Sequence, residues 1–198
     1  MSRKDKPRRV SHHHLRAFFI AFLTALVVVG VVFVAAYPTF AYHSIGQRVL
    51  RDGAGISDAP VPPNTLVVAP GLAAPGGGML STGANVDTVY SMAWLELGGG
   101  PLQLSVPDMG NRYYALQFIN SNTGENFAYV GSRSTGSTAG KFLVTGPGWS
   151  GTVPGGMKQV PCPTANVLVI GRVFAQDVPD ATTAVALSKQ ITFAPYSG

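Results

Sequence analysis

Between Pro101 and Asn120 the chain reads PLQLSVPDMGNRYYALQFIN, and this stretch decides the fold class. Leu102, Leu104 and Val106 alternate with Gln103 and Ser105, so one face of the first half is apolar. In the second half Tyr114, Leu116 and Phe118 lie opposite Tyr113, Ala115 and Gln117. A period of two sends successive side chains to opposite sides of an extended backbone, which is how a half-buried strand is written. Pro107, Asp108 and Gly110, between the halves, are turn formers.

The same pattern extends in both directions. LVVAP and VYSMAWLEL precede it, and FAYVGS, KFLVTG and NVLVIGRVF follow. Gly, Pro, Asn or Asp separate these runs at roughly the 8–12-residue spacing of sandwiches and barrels. Strands in series without alternating helices predict an antiparallel β-sandwich, jelly-roll-like, over residues 65–198. One helix is expected near the C-terminus, with Asp180 capping a segment whose Ala184, Leu187, Ser188 and Ile191 share a side. No repeat of 20–50 residues is present.

Of the 198 residues, 46% are apolar and 12% charged, too apolar for a disordered chain and the right length for one domain. The net charge of +5 resides in the first 16 residues, where Arg3, Lys4, Lys6, Arg8, Arg9 and Arg16 face the single acid Asp5. Beyond them basic and acidic residues balance, which leaves no electrostatic footprint for nucleic acid. One cysteine, Cys162, rules out an internal disulfide and a multi-cysteine zinc site. His12, His13, His14 and His43 all precede the strand-rich region, so histidine triads and His-ligated metals are not available to it. No metal or cofactor is expected.

Ala17 to Tyr37 reads AFFIAFLTALVVVGVVFVAAY, without a charge. As a helix it would be about 31 Å long, close to the hydrocarbon thickness of a bilayer. Basic residues flank it only on the N-terminal side, which orients residues 1–16 toward the cytoplasm and the body outside. A cleaved signal peptide is the competing reading, since Val34-Ala35-Ala36 has small residues, but the apolar run exceeds a signal core. Arg8-Arg9 resembles a twin-arginine signal only weakly. The expectation is a single-pass inner-membrane anchor over 17–37, ended by Pro38. Residues 38–64 then form a short juxtamembrane helix, His43 to Arg51, and a proline-rich linker, Asp52 to Asn64. Ala74 to Gly78 (APGGG) is expected to be flexible.

From Asn85 to Arg172 the chain carries NVDTVYSMAWLEL, PLQLSVPDMGNRYYALQFINSNTGENFAYVGSRSTGSTAGKFLVTGPGW and VPCPTANVLVIGR in that order. This resembles the domain-of-unknown-function 1254 family of bacterial exported or membrane-anchored proteins. The shared pattern is an Asn-x-Asp-Thr-x-Tyr opening, a VPD…RYY…Q strand pair, an NFAY turn, a GPGW loop and a Gly-Arg strand. The resemblance implies a β-sandwich and no particular chemistry. Larger members carry a second domain, of unknown-function family 1214, and either a separately encoded partner chain or a truncated gene would account for its absence here.

Five residues are candidates for ligand binding. Asp87 and Tyr90, in DTVY, offer a carboxylate and an aromatic platform, or alternatively a turn cap and a core ring. Arg112 and Arg133 are among the few charges of the body, together with Arg172. Any of them that is buried is expected to meet an acid such as Asp87 or Asp108. In the GSRSTGSTAG loop Arg133 could grip a carboxylate or phosphate with help from glycine amides. Asn126 belongs to the same face. Glu96, Glu125, Asp108 and Asp87 are the only carboxylates for a glycosidase-type pair. Ser134, Thr135 and Ser137 lack a histidine and a nucleophile elbow. The GGG runs at 76–78 and 98–100 lack the Lys-Ser/Thr of a P-loop. Trp149 and Cys162 read as core residues. No catalytic residue is assigned. The expected role is a non-catalytic interaction or assembly module docking a partner chain. The alternatives are an envelope lipid- or glycan-binding domain, or an enzyme completed by a partner.

Overall fold

The computed structural model describes residues 12–73 and 85–197. The APGGG stretch and most of the basic tail lie outside these residues. The chain forms two compact units, one up to Pro38 and one from Thr39 onward. In the first, α1 (His12–Asp52) begins. Its apolar side chains from Leu15 to Tyr37 are exposed, which water does not favour for so many large groups. Among the described residues it is the one helix long and apolar enough to cross a membrane.

The helix was expected to stop at Pro38. Instead it runs on to Asp52, with Pro38 inside. Proline forfeits one intrahelical hydrogen bond at a cost of about 3 kcal/mol in water. The continuation is held by tertiary contacts, because Tyr42, Ile45, Val49 and Leu50 pack with Met92, Trp94, Ile119 and Leu168. Residues 43–51 are therefore the last turns of α1, lying on a β-sheet. Thr39 Oγ1 donates to Asn122 O and Ser44 Oγ to Phe40 O. Gly53, at φ 59, ends the helix by donating its N–H to Val49 O, as a left-handed cap residue does. The proline-rich stretch is also fastened. Val61 is buried with its N–H on Leu50 O, and Asn64 Oδ1 accepts from Glu96 N at 2.8 Å.

The second unit is a sandwich. One sheet contains β1 (Val67–Leu72), β2 (Thr88–Glu96), β4 (Tyr114–Asn120), β5 (Asn126–Gly131) and β8 (Asn166–Phe174), in the order β1-β2-β8-β4-β5, all antiparallel. The other contains β3 (Leu102–Val106), β6 (Gly140–Thr145), β7 (Met157–Pro161) and β9 (Thr192–Pro195), in the order β7-β6-β3-β9. The seven expected strands are all present. β7 and β9 were not anticipated, and β7 pairs with β6 in parallel, so this sheet is mixed. Both additions are short, proline-containing edge strands with a partner on one side only, and such strands need no alternating pattern.

The core lies between the sheets. Leu102, Leu104, Val106, Phe142 and Val144 meet Val89, Leu95, Leu116, Phe118 and Val169 there. β2 is buried at eight consecutive positions, because the first sheet is covered on both faces, by the second sheet and by the end of α1. Cys162 is buried, and burial pushes its thiol up to about 12.

α2 (Val178–Ser188) fills the end of the core with Ala181, Ala184 and Ser188. Leu187 is half-buried, and Ile191 is buried beyond the helix. The cap is Asp177 rather than Asp180: Asp177 is extended, and its carboxylate accepts from Asp180 N, with Pro179 in the first turn. Asp180 is engaged elsewhere. Arg112 Nη1 and Nη2 donate to its two oxygens at 2.6 and 2.7 Å, and Gln176 N donates to it as well.

These donors, Arg112 first, lower the Asp180 carboxyl to about 2 from its ordinary 3.8. The folded state thus favours the carboxylate, so its stabilisation is complete above pH 3.8 and is lost as pH falls toward 2. Asp180→Asn is expected to be less stable than the parent at pH 7, with the gap closing at pH 2 in urea unfolding followed by circular dichroism. A gap that stays constant with pH would contradict the assignment.

Candidate functional site

Strand register decides what the outward face of the first sheet presents. Tyr90, Arg172, Ala115 and Gly131 stand side by side across β2, β8, β4 and β5. The next row is Met92, Ile170, Gln117 and Tyr129, and the third is Trp94, Leu168 and Ile119. The third row, with Met92 and Ile170, lies under the end of α1. Tyr90 is buried at the inner end of the first row, and the rest of that row stays open to a cleft together with Gln117 and Tyr129.

The cleft exists because the middle of its floor carries almost no side chain. Ala115 pairs with Gly131, and a Cβ on Gly131 would stand 2.5 Å from Tyr114 O. Around this hollow of about 300 Å³ stand Tyr113, Gln117, Tyr129, Arg133, Ser134 and Arg172. The guanidinium of Arg172 lies 5.2 Å from the centroid of the Tyr90 ring, and that of Arg133 5.5 Å from the Tyr113 ring. Such cation–π contacts hold a charge without neutralising it. Arg172 Nη1 donates to Gln117 Oε1 at 2.9 Å, and Gln117 Nε2 donates to Asn126 Oδ1 at 2.6 Å.

Among the described residues, the ion pairs include Arg51–Asp52 and Arg112–Asp180. Neither Arg133 nor Arg172 is in one. Arg133 is exposed and Arg172 half-buried, and two cations without a counter-charge in a concave site give it a positive potential.

The loop after β5 carries Arg133 on a closed frame. Ser134 N and Thr135 N donate to Gly131 O, Gly131 N to Thr135 Oγ1, and Ser132 N to Tyr114 O. Ser134 Oγ donates to Tyr129 O and Ser137 Oγ to Ser132 Oγ. Gly136, at φ 91, supplies the left-handed turn, and its carbonyl accepts from Tyr114 OH. Of the glycine amides expected to help Arg133 hold an anion, that of Gly131 is thus committed to the loop itself.

Of the five candidates, three gather here. Arg133 lines the cleft, Tyr90 supports Arg172 from below with its hydroxyl accepting from Asn85 N, and Asn126 orients Gln117. Asp87 is exposed outside the lining, and its backbone carbonyl accepts from Ala175 N. Arg112 is also outside, with its donors on Asp180 and Phe174 O. The acid expected beside a buried arginine is therefore Asp180; Asp87 makes no ion pair, and Asp108 accepts from Gly110 N in its own turn. Glu96 and Glu125 are exposed and away from the cleft.

Tyr113, Gln117 and Tyr129 were not among the candidates. Tyr113 and Gln117 were legible as one face of a strand, but nothing local showed that this face stays open. Trp149, expected in the core, is half-buried and lines a groove of about 190 Å³ with Leu97, Gly98, Gly100, Pro147 and Gly148.

The fold is similar to that of a Vibrio parahaemolyticus protein known from its crystal structure, with a TM-score of 0.62 and 24% identity. That similarity covers 82% of this chain and 36% of the Vibrio chain, so this chain spans about a third of the length of that relative. An uncharacterized protein from Burkholderia cenocepacia matches at a TM-score of 0.40 and 17% identity, over 58% of this chain and 33% of that one. No curated protein matches the sequence significantly. The family described as Protein of unknown function (DUF1254) matches residues 63–195, from the turn before β1 to the end of β9. That span takes in both sheets and every residue of the cleft, and the chain belongs to the DUF1254 family.

Proposed function

We propose that this protein is a single-pass inner-membrane protein whose β-sandwich faces the outside of the cytoplasm and recognises an anionic ligand without transforming it. The observation that carries the recognition role is the pair of uncompensated guanidiniums, Arg133 and Arg172, in one tyrosine-lined cleft. Two cations lining one cleft attract an anion, and arginine forks match planar oxyanions. The exposed apolar turns of α1 and the one-sided basic flank support the anchor and its orientation.

The test uses the full chain in a neutral detergent, with acetate and phosphate as minimal anions at constant ionic strength. Each is expected to raise the melting midpoint by a few degrees at tens of millimolar, as preferential binding to the folded state does. Arg133→Ala with Arg172→Ala abolishes the rise while the midpoint without anion stays within a few degrees of the parent. A rise that survives the double substitution would place the anion elsewhere.

A second reading is docking of a partner chain. It is favoured by the exposed apolar side chains of Val86, Phe174 and Val178. Under that reading a second protein copurifies in mild detergent and is lost on substitution of the cleft or of the sandwich surface.

A further inference from the structure

We infer that the ligand of the cleft is a carboxylate-bearing sugar ring, a uronate-type unit. This rests on the anion-recognition reading above and narrows it. Arginine forks bind carboxylate and phosphate alike, so the backbone donors beside the cleft are what weighs between them. Phosphate sites in proteins gather backbone N–H groups at a helix N-terminus or a glycine-rich nest. In the loop beside this cleft the N–H groups of Gly131, Ser132, Ser134 and Thr135 are all donated within the protein. Beside them the cleft offers side-chain forks. Among the described residues Arg133 has no hydrogen-bond acceptor, and Arg172 gives one Nη to Gln117 and keeps its other N–H groups. Planar forks of this kind fit a carboxylate edge to edge.

The rest of the cleft argues for a sugar rather than an acidic peptide. A peptide that binds by strand addition needs an unpaired strand edge, where backbone meets backbone. This cleft lies on the face of the sheet, over β4, whose backbone is paired on both sides by β5 and β8. Its walls are the tyrosines 113 and 129, its floor is the bare Ala115–Gly131 pair, and its neutral polar group is the Gln117 amide. Aromatic walls suit the C–H face of a pyranose, and an amide suits its hydroxyls. A volume of about 300 Å³ is at the small end for ligand sites, the scale of one or two sugar rings. Gln117 is the positioning residue of this arrangement, since it ties the Arg172 guanidinium to Asn126.

The experiment is calorimetric titration of the full chain in a polyoxyethylene detergent, chosen because it carries no sugar. The probes are glucuronate, glucose, acetate, phosphate and an aspartate-containing dipeptide. Glucuronate is expected to bind at least tenfold more tightly than each of the others. Arg172→Gln and Arg133→Gln each weaken it tenfold or more. Tyr129→Ala weakens glucuronate but leaves acetate unchanged, a split that a merely unfolded variant would not give. If glucuronate binds no better than acetate or phosphate, the sugar assignment is overturned while anion recognition stands. If the dipeptide binds most tightly, the ligand is an acidic peptide and the assignment fails. If no anion binds at the cleft, the recognition reading itself fails.

Discussion

Trp94→Ala is expected to lower the stability of the domain by about 4 kcal/mol, in the range for truncating a buried aromatic side chain. Trp94 is 2% exposed at the centre of the third row of the outward face, packed with Met92, Ile119, Leu168 and Val49. Its ring meets His43 edge-on at 5.4 Å. It also lies so close to Gly46 that a Cβ there would come within 2.5 Å of it. The end of α1 thus approaches the sheet through a glycine, with this side chain at the centre of the contact. Loss of the ring leaves a void under the helix that the paired strands cannot collapse to fill.

The melting midpoint should fall by on the order of 10 °C. Hydrogen exchange should accelerate most between Tyr42 and Leu50, and less in β3 and β6, which lie in the other sheet. Gly46→Ala attacks the same contact from the helix side and should accelerate exchange in the same segment. A loss under 1 kcal/mol, or acceleration spread evenly over both sheets, would show that the helix is held by something else.

The second large effect lies inside the sandwich. Ser91, Gly171 and Leu116 stand side by side on the inner face of the first sheet. A Cβ on Gly171 would stand 2.1 Å from Ser91 Oγ and 3.0 Å from Leu116 Cδ2. Gly171→Ala therefore overpacks the core and is expected to cost about 2 kcal/mol. Ser91 Oγ is itself buried with no hydrogen-bond partner. Removing an unsatisfied hydroxyl is neutral to favourable, so Ser91→Ala alone should leave stability unchanged or raise it by about 1 kcal/mol. With alanine at 91 the new Cβ meets the Ser91 Cβ position at 3.5 Å, an ordinary contact. The double variant should regain most of the loss, with a coupling of at least about 1 kcal/mol in a double-mutant cycle by urea unfolding. Additive effects would mean that the clash is relieved by a shift of β8 instead.

The sandwich was legible because the alternation in PLQLSV and RYYALQFIN is a local property, set by which residues can face a core. β7 and β9 were not, because an edge strand such as MKQVP or TFAP borrows its conformation from its neighbour. Pro38 shows the same limit from the other direction. Its local preference is to end a helix, and packing on the sheet outweighs that preference. Of the candidate site, Arg133 and Tyr90 stood out as a charge in a glycine-rich loop and an aromatic at a strand start. Arg112 stood out equally and proved to be committed to Asp180.

What the sequence by itself determined, then, is the apolar helix, the seven main strands and the two-sided pattern of β3 and β4. All of these follow from the spacing of apolar residues along a few turns or pleats. Only the tertiary structure decided which outward face is covered and which arginine keeps its charge free. β8 enters between β2 and β4, carrying Arg172 to a place between Tyr90 and Ala115, while α1 returns over Trp94. Those partners are set by strand order and register, and they join residues too far apart along the chain for any local pattern to record.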